Sequence, residues 1–116
     1  MSVQRRELLD GDLRDAARYF HALRDVLRLR ILTTLVSSGE MTVTELARAL
    51  HVSQPLVSFH LRPLRVLDLV QVRRSGREVY CSVNLEEIRR RQTEFMEMLV
   101  KSASAGYEAE ISRGGS

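Results

Sequence analysis

The chain has 116 residues, enough for one domain that buries a core without disulfides or a structural metal, and its single cysteine cannot form an internal disulfide. No apolar run approaches the roughly 20 residues of a membrane span, and the N-terminal MSVQRRELLDGD lacks the apolar segment of a secretory signal. These features exclude a membrane protein and a disulfide-stapled secreted domain, so we expect a cytoplasmic protein whose net charge of +3 matters mainly through its distribution.

The first predicted helix follows a polar lead-in, residues 1–11, which ends at Gly11 and which we expect to be flexible. Asp12 can cap this helix, because its carboxylate accepts a hydrogen bond from an unpaired amide of the first turn. A second helix is predicted over residues 26–36, and Ser37-Ser38-Gly39 closes it, since glycine is common just past a helix end. The apolar faces of the two helices contain Leu13, Ala16, Ala17, Phe20 and Leu23 in the first and Leu27, Ile31 and Leu35 in the second.

Two short helices with a very short turn between them come next. The segment Thr42-Val43-Thr44-Glu45 is a capping box, in which Thr42 caps the helix and Glu45 reaches back to the cap amide. This helix extends to about Leu50, and its inward residues are Val43, Leu46, Ala47 and Leu50. Only His51-Val52 separates it from Ser53, and histidine tolerates the left-handed backbone that such a turn needs. The pattern predicts a helix-turn-helix.

The second helix of this pair covers Ser53 to Leu67 and reads SQPLVSFHLRPLRVL. Ser53 can cap it, and Pro55 lies in the first turn, where a missing N–H costs nothing. One face is an apolar stripe of Val57, Leu61, Leu64 and Leu67, and the opposite face carries Gln54, Pro55, Ser58, Phe59 and Arg62. A helix with such a compact polar face fits the major groove of duplex DNA. An ordinary amphipathic surface helix has the same pattern, and the preceding capped helix favours DNA binding.

After Leu69 the apolar period changes from helical to two, which predicts a β-hairpin. Val70 and Val72 lie on its first strand, Val79, Cys81 and Val83 on its second, and Arg74-Ser75-Gly76-Arg77 forms a basic tip. Residues 53–77 contain five arginines and one acid, Asp68. The excess positive charge therefore lies where a phosphate backbone would have to lie.

Asn84 can cap a last helix from Leu85 to about Tyr107, and we expect residues 108–116 to be flexible. The predicted fold is mainly α with a small β-hairpin: a single winged helix-turn-helix domain over residues 1–116, with flanking N- and C-terminal dimerisation helices. The outer helices carry more apolar surface than one small domain needs, so we expect a two-fold homodimer. The predicted interface contains Leu13, Ala17, Phe20, Ile88, Phe95 and Leu99. An alternative for the last helix is a docking face for a second protein, formed by Glu94, Met96, Glu97 and Met98.

From about His21 to the last helix, the chain resembles the ArsR/SmtB bacterial transcriptional repressors. The segment LRDVLRLRILTTL (23–35) is similar to the family's L-A-D-P-T-R-L-R-I-L. The segment TELARALHVSQPLVSFHLRPLRVLDLV (44–70) is similar to E-L-A-x-x-L-x-V-S-Q-x-x-V-S-x-H-L-x-x-L-x-x-x-G-L-V, and the wing RRSGREVYCSVN (73–84) follows. The departures are Val26 and Leu27 in place of Pro-Thr, and Asp68 in place of glycine. These departures are compatible with the family's fold.

The resemblance implies a homodimer that binds double-stranded DNA at an inverted-repeat operator. The residues that would contact DNA are Ser53, Gln54, Pro55, Ser58, Phe59, His60, Arg62, Arg74 and Arg77. Among them, Gln54 suits a bidentate contact with adenine, and the arginines suit phosphates or the minor groove. For His60 the other interpretation is a partly buried histidine that steadies the helix and makes at most one phosphate contact.

The residues that bind metals in many members of this family are missing here. The family's cysteine pair, E-L-C-V-C-D-L, aligns with residues 40–46, where Thr42 and Thr44 offer no soft ligand. A second family site, Asp-x-His with a downstream His-x-x-Glu, aligns with Leu85, Glu87, Met98 and Lys101, and one carboxylate is not a site. We therefore expect no metal and no cofactor. An unfamiliar site that uses His21 with acids of the partner subunit stays open as an alternative.

Cys81 lies at an apolar position of the wing and is predicted to be a small packed residue rather than a sensor. The sequence contains no nucleophile with a base and an orienting group, which argues against an enzyme. It therefore predicts a homodimeric DNA-binding transcriptional regulator, most simply a repressor that occludes a promoter. The alternative is a regulator or interaction protein whose input comes from an accessory protein, because the usual ligand site is missing.

Overall fold

The computed structural model describes the backbone of residues 2–114 and the side chains of residues 10–106, 110, 113 and 114. Its elements in chain order are α1 (Ser2–Leu23), α2 (Val26–Ser38), β1 (Met41–Thr42), α3 (Val43–Leu50), α4 (Gln54–Val66), β2 (Val70–Ser75), β3 (Glu78–Val83) and α5 (Leu85–Gly114). The described part of the chain contains no helix that is both long and apolar enough to cross a membrane. The predicted class, mainly α with a small β-hairpin, is confirmed.

Local capping sets the boundaries of α3 and α4 as the sequence predicted. The Thr42 hydroxyl accepts a hydrogen bond from the amide of Glu45 at 3.0 Å, and the Glu45 carboxylate accepts one from the amide of Thr42 at 3.1 Å. These paired bonds lower the pKa of Glu45, mainly through the amide of Thr42. The Ser53 hydroxyl accepts from the amide of Leu56 at 3.3 Å, with Pro55 in the first turn. Both helices therefore begin where their side chains satisfy otherwise unpaired amides.

The turn between α3 and α4 depends on a left-handed residue. His51 has φ 56 and ψ 43, and the amide of Val52 donates to the carbonyl of Ala47 at 3.1 Å. This backbone bond closes α3, so the chain reverses within two residues and enters α4 at Ser53. The predicted helix-turn-helix is confirmed.

The wing is an antiparallel hairpin with a third strand added. β2 pairs with β3, and Gly76 begins their two-residue turn with φ +61, a conformation that glycine adopts without a steric penalty. β1 pairs with the other edge of β3 through Met41 opposite Cys81, which gives the strand order β1-β3-β2. The sequence did not predict β1, because two residues are too few to show an alternating pattern.

The core joins the helix-turn-helix to the wing. Its fully buried side chains come from all four helices α1–α4 and from both hairpin strands, and they include Ile31, Leu46, Val57, Leu64 and Cys81. The predicted inward stripes of α3 and α4 are therefore confirmed, and so is the packed position of Cys81. Burial also raises the pKa of the Cys81 thiol, which keeps it in its unreactive protonated form.

Two predicted boundaries are wrong. α1 begins at Ser2 rather than at a cap on Asp12, and Gly11 lies inside the helix. Glycine did not end the helix there because a glycine inside a helix costs only about 1 kcal/mol relative to alanine. α5 continues past Tyr107 to Gly114. The predicted flexibility of residues 1–11 and 108–116 falls mostly outside the described side chains and stays a prediction.

α1 packs on the core through residues near its C-terminal end. Tyr19 and Ala22 are buried, and Leu23 lies against the core beside them. Leu13 and Phe20, which belong to the predicted stripe, stay exposed on the outer side of the helix. This arrangement leaves part of the apolar surface of α1 exposed in the protomer.

Candidate nucleic-acid interface

The outer side of α4 carries six of the nine side chains that the sequence predicted to contact DNA. Those exposed at its N-cap and along its first nine residues are Ser53, Gln54, Pro55, Ser58, Phe59 and Arg62. Phe59 is 62% exposed, so its ring can reach an apolar group such as a thymine methyl. The helix contains no acidic residue. Its exposed side therefore combines hydrogen-bonding groups, an apolar ring and a cation, with no charge that would repel phosphate.

A groove of about 300 Å³ lies between α4 and the β2–β3 hairpin, and we call it the wing groove. Gln54, Ser58 and Arg65 line its α4 side, and Arg74 and Arg77 line its hairpin side. Thr44, from the start of α3, also reaches it. The structure thus brings Gln54 and Ser58 together with both predicted wing arginines. It adds Arg65 and Thr44, which sequence reasoning missed.

Neighbouring arginines of the hairpin have different environments because successive strand residues point to opposite faces. Arg73 faces away from the wing groove and binds Glu40, with its Nη2 2.7 Å from Oε1 and its Nε donating to Oε2 at 3.1 Å. Its guanidinium also lies 4.4 Å from the centre of the Tyr80 ring. The bidentate contact with Arg73 lowers the pKa of Glu40. Arg73 is therefore already paired within the protomer.

The arginines that face the wing groove or the outer side of α4 are free to bind an anion. Among the described side chains, no acid forms an ion pair with Arg62, Arg65, Arg74 or Arg77, although the exposed Glu78 lines the wing groove. A phosphate backbone could neutralise these cations without displacing an existing salt bridge. The arrangement suits binding along a nucleic-acid strand, where Lys and Arg contacts dominate the affinity.

His60 holds α4 against the start of α2. Its Nδ1 accepts a hydrogen bond from Nε of Arg28 at 3.3 Å and lies 3.6 Å from Oδ1 of Asp25. Only 12% of the side chain is exposed. Asp25 itself caps α2 by accepting from the amide of Arg28, and this bond is the main reason that its pKa is lowered. The geometry fits a partly buried histidine that steadies α4.

The predicted dimer residues lie on α1 and α5, which pack together through an aromatic pair. The rings of Phe20 and Phe95 meet edge to face, with centroids 4.9 Å apart. Leu13 and Leu99 are exposed, and Ala17 is exposed beside a groove between α1 and α4. Ile88 instead lies half-buried against the protomer's own core. Met96 and Val100 extend the exposed apolar surface along α5. We call the surface formed by Leu13, Met96, Leu99 and Val100 the outer face.

The positions where related proteins carry metal ligands have other roles here. The hydroxyl of Thr42 is used in the capping box of α3. The Glu87 carboxylate accepts from Nε and Nη2 of Arg90 at 2.6 and 2.8 Å, and its Oε2 lies 3.2 Å from Nε of Arg91. The Arg90 contact is the main cause of the lowered pKa of Glu87. Within the described residues, no three His, Cys, Asp or Glu side chains come close enough together to hold a metal ion. These residues do not fit the family's metal sites.

Comparison with known proteins gives consistent matches. Residues 25–72 match the family described as "Bacterial regulatory protein, arsR family". A cadmium resistance transcriptional regulatory protein CadC homologue from Staphylococcus aureus is 32% identical over 85 residues, which cover 73% of this chain and 70% of that protein. A transcriptional repressor SmtB homologue from Synechocystis is 46% identical over 67 residues, or 58% of this chain. That match spans only 50% of the Synechocystis protein.

The fold also matches solved structures. The homodimeric winged helix-turn-helix DNA-binding domain from Mycobacterium bovis, determined by NMR in solution, superposes with a TM-score of 0.61 and 30% sequence identity. The match covers 79% of this chain and 83% of that domain. The predicted winged helix-turn-helix fold is therefore confirmed.

Proposed function

Since the chain belongs to the ArsR family of bacterial regulatory proteins, we propose that it is a homodimeric transcriptional repressor that binds an inverted-repeat operator. Each protomer would place α4 in the major groove and the wing along the adjacent backbone. The chain's relatives are transcriptional regulators rather than enzymes.

The observation that carries this proposal is the set of arginines around α4 and the wing groove that form no ion pair with any described acidic side chain. Arg65, Arg74 and Arg77 surround the same cleft that Gln54 and Ser58 enter. Phosphate contacts from the arginines would set the position of the protein on the duplex, and Gln54 would read a base edge. Phosphate binding and base reading would thus come from side chains of one groove.

The outer face supports the homodimer. Leu13, Met96, Leu99 and Val100 expose apolar side chains on two helices that already contact each other. A patch of this kind is unfavourable in water and is typically covered by a partner. The related domain from Mycobacterium bovis is a homodimer, which favours a second copy over an accessory protein as the partner.

We further propose that neither of the family's familiar metal sites controls this regulator. Thr42 and Thr44 supply no thiolate, and Glu87 is held by two arginines. Metal binding at Glu87 would have to break these charge-assisted contacts, and the aligned Lys101 would add a cation to the site. The input would then act elsewhere on the protein.

The test is selection of binding sites from random duplex DNA, followed by titration of the selected operator with Gln54→Ala. We expect an inverted repeat with half-sites about one helical turn apart. Gln54→Ala should weaken operator binding by roughly 1–3 kcal/mol and relax the preference at one base pair of each half-site. Gln71→Ala is the matched control, because Gln71 is an exposed glutamine of β2 outside the wing groove. Equal losses on operator and random DNA would contradict the assignment of Gln54.

A further inference from the structure

A second groove, of about 630 Å³, lies on the other side of α4, between this helix and α1. We call it the α1–α4 groove. Its apolar lining consists of Ala17 and Ala22 from α1, Pro63 and Val66 from α4, and Leu67 at the C-cap of α4. Val66 is 76% exposed, the most exposed large aliphatic side chain of α4. The groove is as large as typical small-molecule sites, which occupy about 300–1,000 Å³.

The polar side chains of this groove are all basic or potentially basic. Arg18 and His21 reach it from α1, and Arg62 reaches it from α4. None of the acidic residues that the structure describes lines it. Arg18 contacts Asp15 at 3.4 Å, but both side chains are mostly exposed, so this pair holds the guanidinium only weakly. Among the described residues, Arg62 has no acidic partner.

We propose that the α1–α4 groove binds a small organic anion with an apolar body, such as an aliphatic carboxylate. The apolar strip would take the body of the ligand, and Arg18 and Arg62 would bind its anionic head. A site of this kind combines a largely apolar surface with a few polar groups that fix orientation. The basic rim selects against cationic and neutral amphiphiles, and the apolar floor selects against small hydrophilic anions.

The site would be coupled to DNA through Arg62, and this part of the inference rests on the proposed function. Arg62 lines the α1–α4 groove and is also one of the exposed cations of α4. A guanidinium bound to a carboxylate cannot neutralise a DNA phosphate at the same time. The ligand and the operator would therefore compete for Arg62, and the ligand would act as an inducer.

The test is calorimetric titration of the DNA-free protein with three probes. Decanoate carries both features, propionate carries the charge without the chain, and decyltrimethylammonium carries the chain with the opposite charge. We expect decanoate, below its micellar concentration, to bind one site per protomer at least tenfold more tightly than either other probe. Comparable binding of propionate or decyltrimethylammonium would overturn the proposal.

Two variants locate the site. Val66→Glu places an acid in the groove at an exposed position and should weaken decanoate binding at least tenfold, as should Arg18→Gln. Val36→Glu is the matched control, because Val36 is an exposed helical valine outside this groove and should leave decanoate binding unchanged. An equal effect of Val36→Glu would overturn the assignment. The assignment would also be overturned if Val66→Glu converted a dimer to monomers, because that result would indicate that a second copy of the chain occupies the groove.

Operator titration with and without decanoate tests the coupling. We expect decanoate to weaken operator binding of the unmodified protein and to leave Val66→Glu unaffected. If the protein binds no operator, the proposed function fails while the calorimetric result stands. If the operator binds and decanoate does not, only the α1–α4 groove assignment fails.

Discussion

Replacing one of two nearby wing arginines should separate phosphate binding from structural pairing. Arg77 faces the wing groove without an acidic partner among the described side chains, whereas Arg73 on the opposite face binds Glu40 through two hydrogen bonds. Arg77→Gln and Arg73→Gln remove the same charge from the same hairpin. Only the first removes a cation that the proposed complex uses.

The size of the effect follows from counterion release. Each phosphate contact contributes about 0.9 to the slope of log K against log salt concentration. A two-fold dimer carries Arg77 twice, so Arg77→Gln should flatten the slope by about 1.8. Between about 50 and about 200 mM salt, the unmodified protein should therefore lose roughly 12-fold more affinity than the variant.

The assay is fluorescence anisotropy with a labelled operator and with random duplex DNA, at four or more salt concentrations. Arg77→Gln should flatten the slope on both DNAs, because a phosphate contact carries no base preference. Arg73→Gln should leave the slope within about 0.3 of the unmodified protein, which is about a third of one contact. An equal change in slope for both variants would refute the assignment of phosphate contacts to the wing groove.

The outer face and the capping box yield two further predictions. Leu99→Glu should produce monomers in size-exclusion chromatography with light scattering. Leu99 is 48% exposed in the protomer, and a carboxylate at this position would be buried without a partner in the dimer. A variant that stays dimeric would show that Leu99 is not part of the interface. Thr42→Val should lower the free energy of unfolding by about 1 kcal/mol in urea titrations, because the substitution removes the acceptor for the amide of Glu45. The control is Thr93→Val at an exposed position of α5, which should change the free energy of unfolding by less than about 0.5 kcal/mol.

The helix-turn-helix could be predicted in detail because its signals are local. Thr42 and Glu45 form their capping box within four residues, and Ser53 caps α4 through an amide three residues away. His51 then supplies the left-handed turn between the helices. None of these contacts depends on how distant segments pack, so the sequence specifies them directly.

Features that depend on tertiary packing could not be predicted in the same way. Arg65 became part of the candidate interface only when the position of the wing relative to α4 was known. Tyr19 and Phe20 are neighbours on α1, and helical spacing does not decide which of their two faces meets the core. The same limitation applies to β1, whose two residues form a strand only because β3 offers them an edge.

The beginning of α5 shows how a family position can keep its charge and change its role. Glu87 is the one aligned residue at the family's second metal site that could still coordinate, and Arg90 and Arg91 both bind it. Arg91 also donates from Nη2 to the carbonyl of Leu67 at 3.2 Å, which joins α5 to the C-terminal end of α4. Glu87 therefore positions a guanidinium that ties two helices together. Because Leu67 also lines the α1–α4 groove, a ligand bound there would touch the same helix end that α5 holds in place.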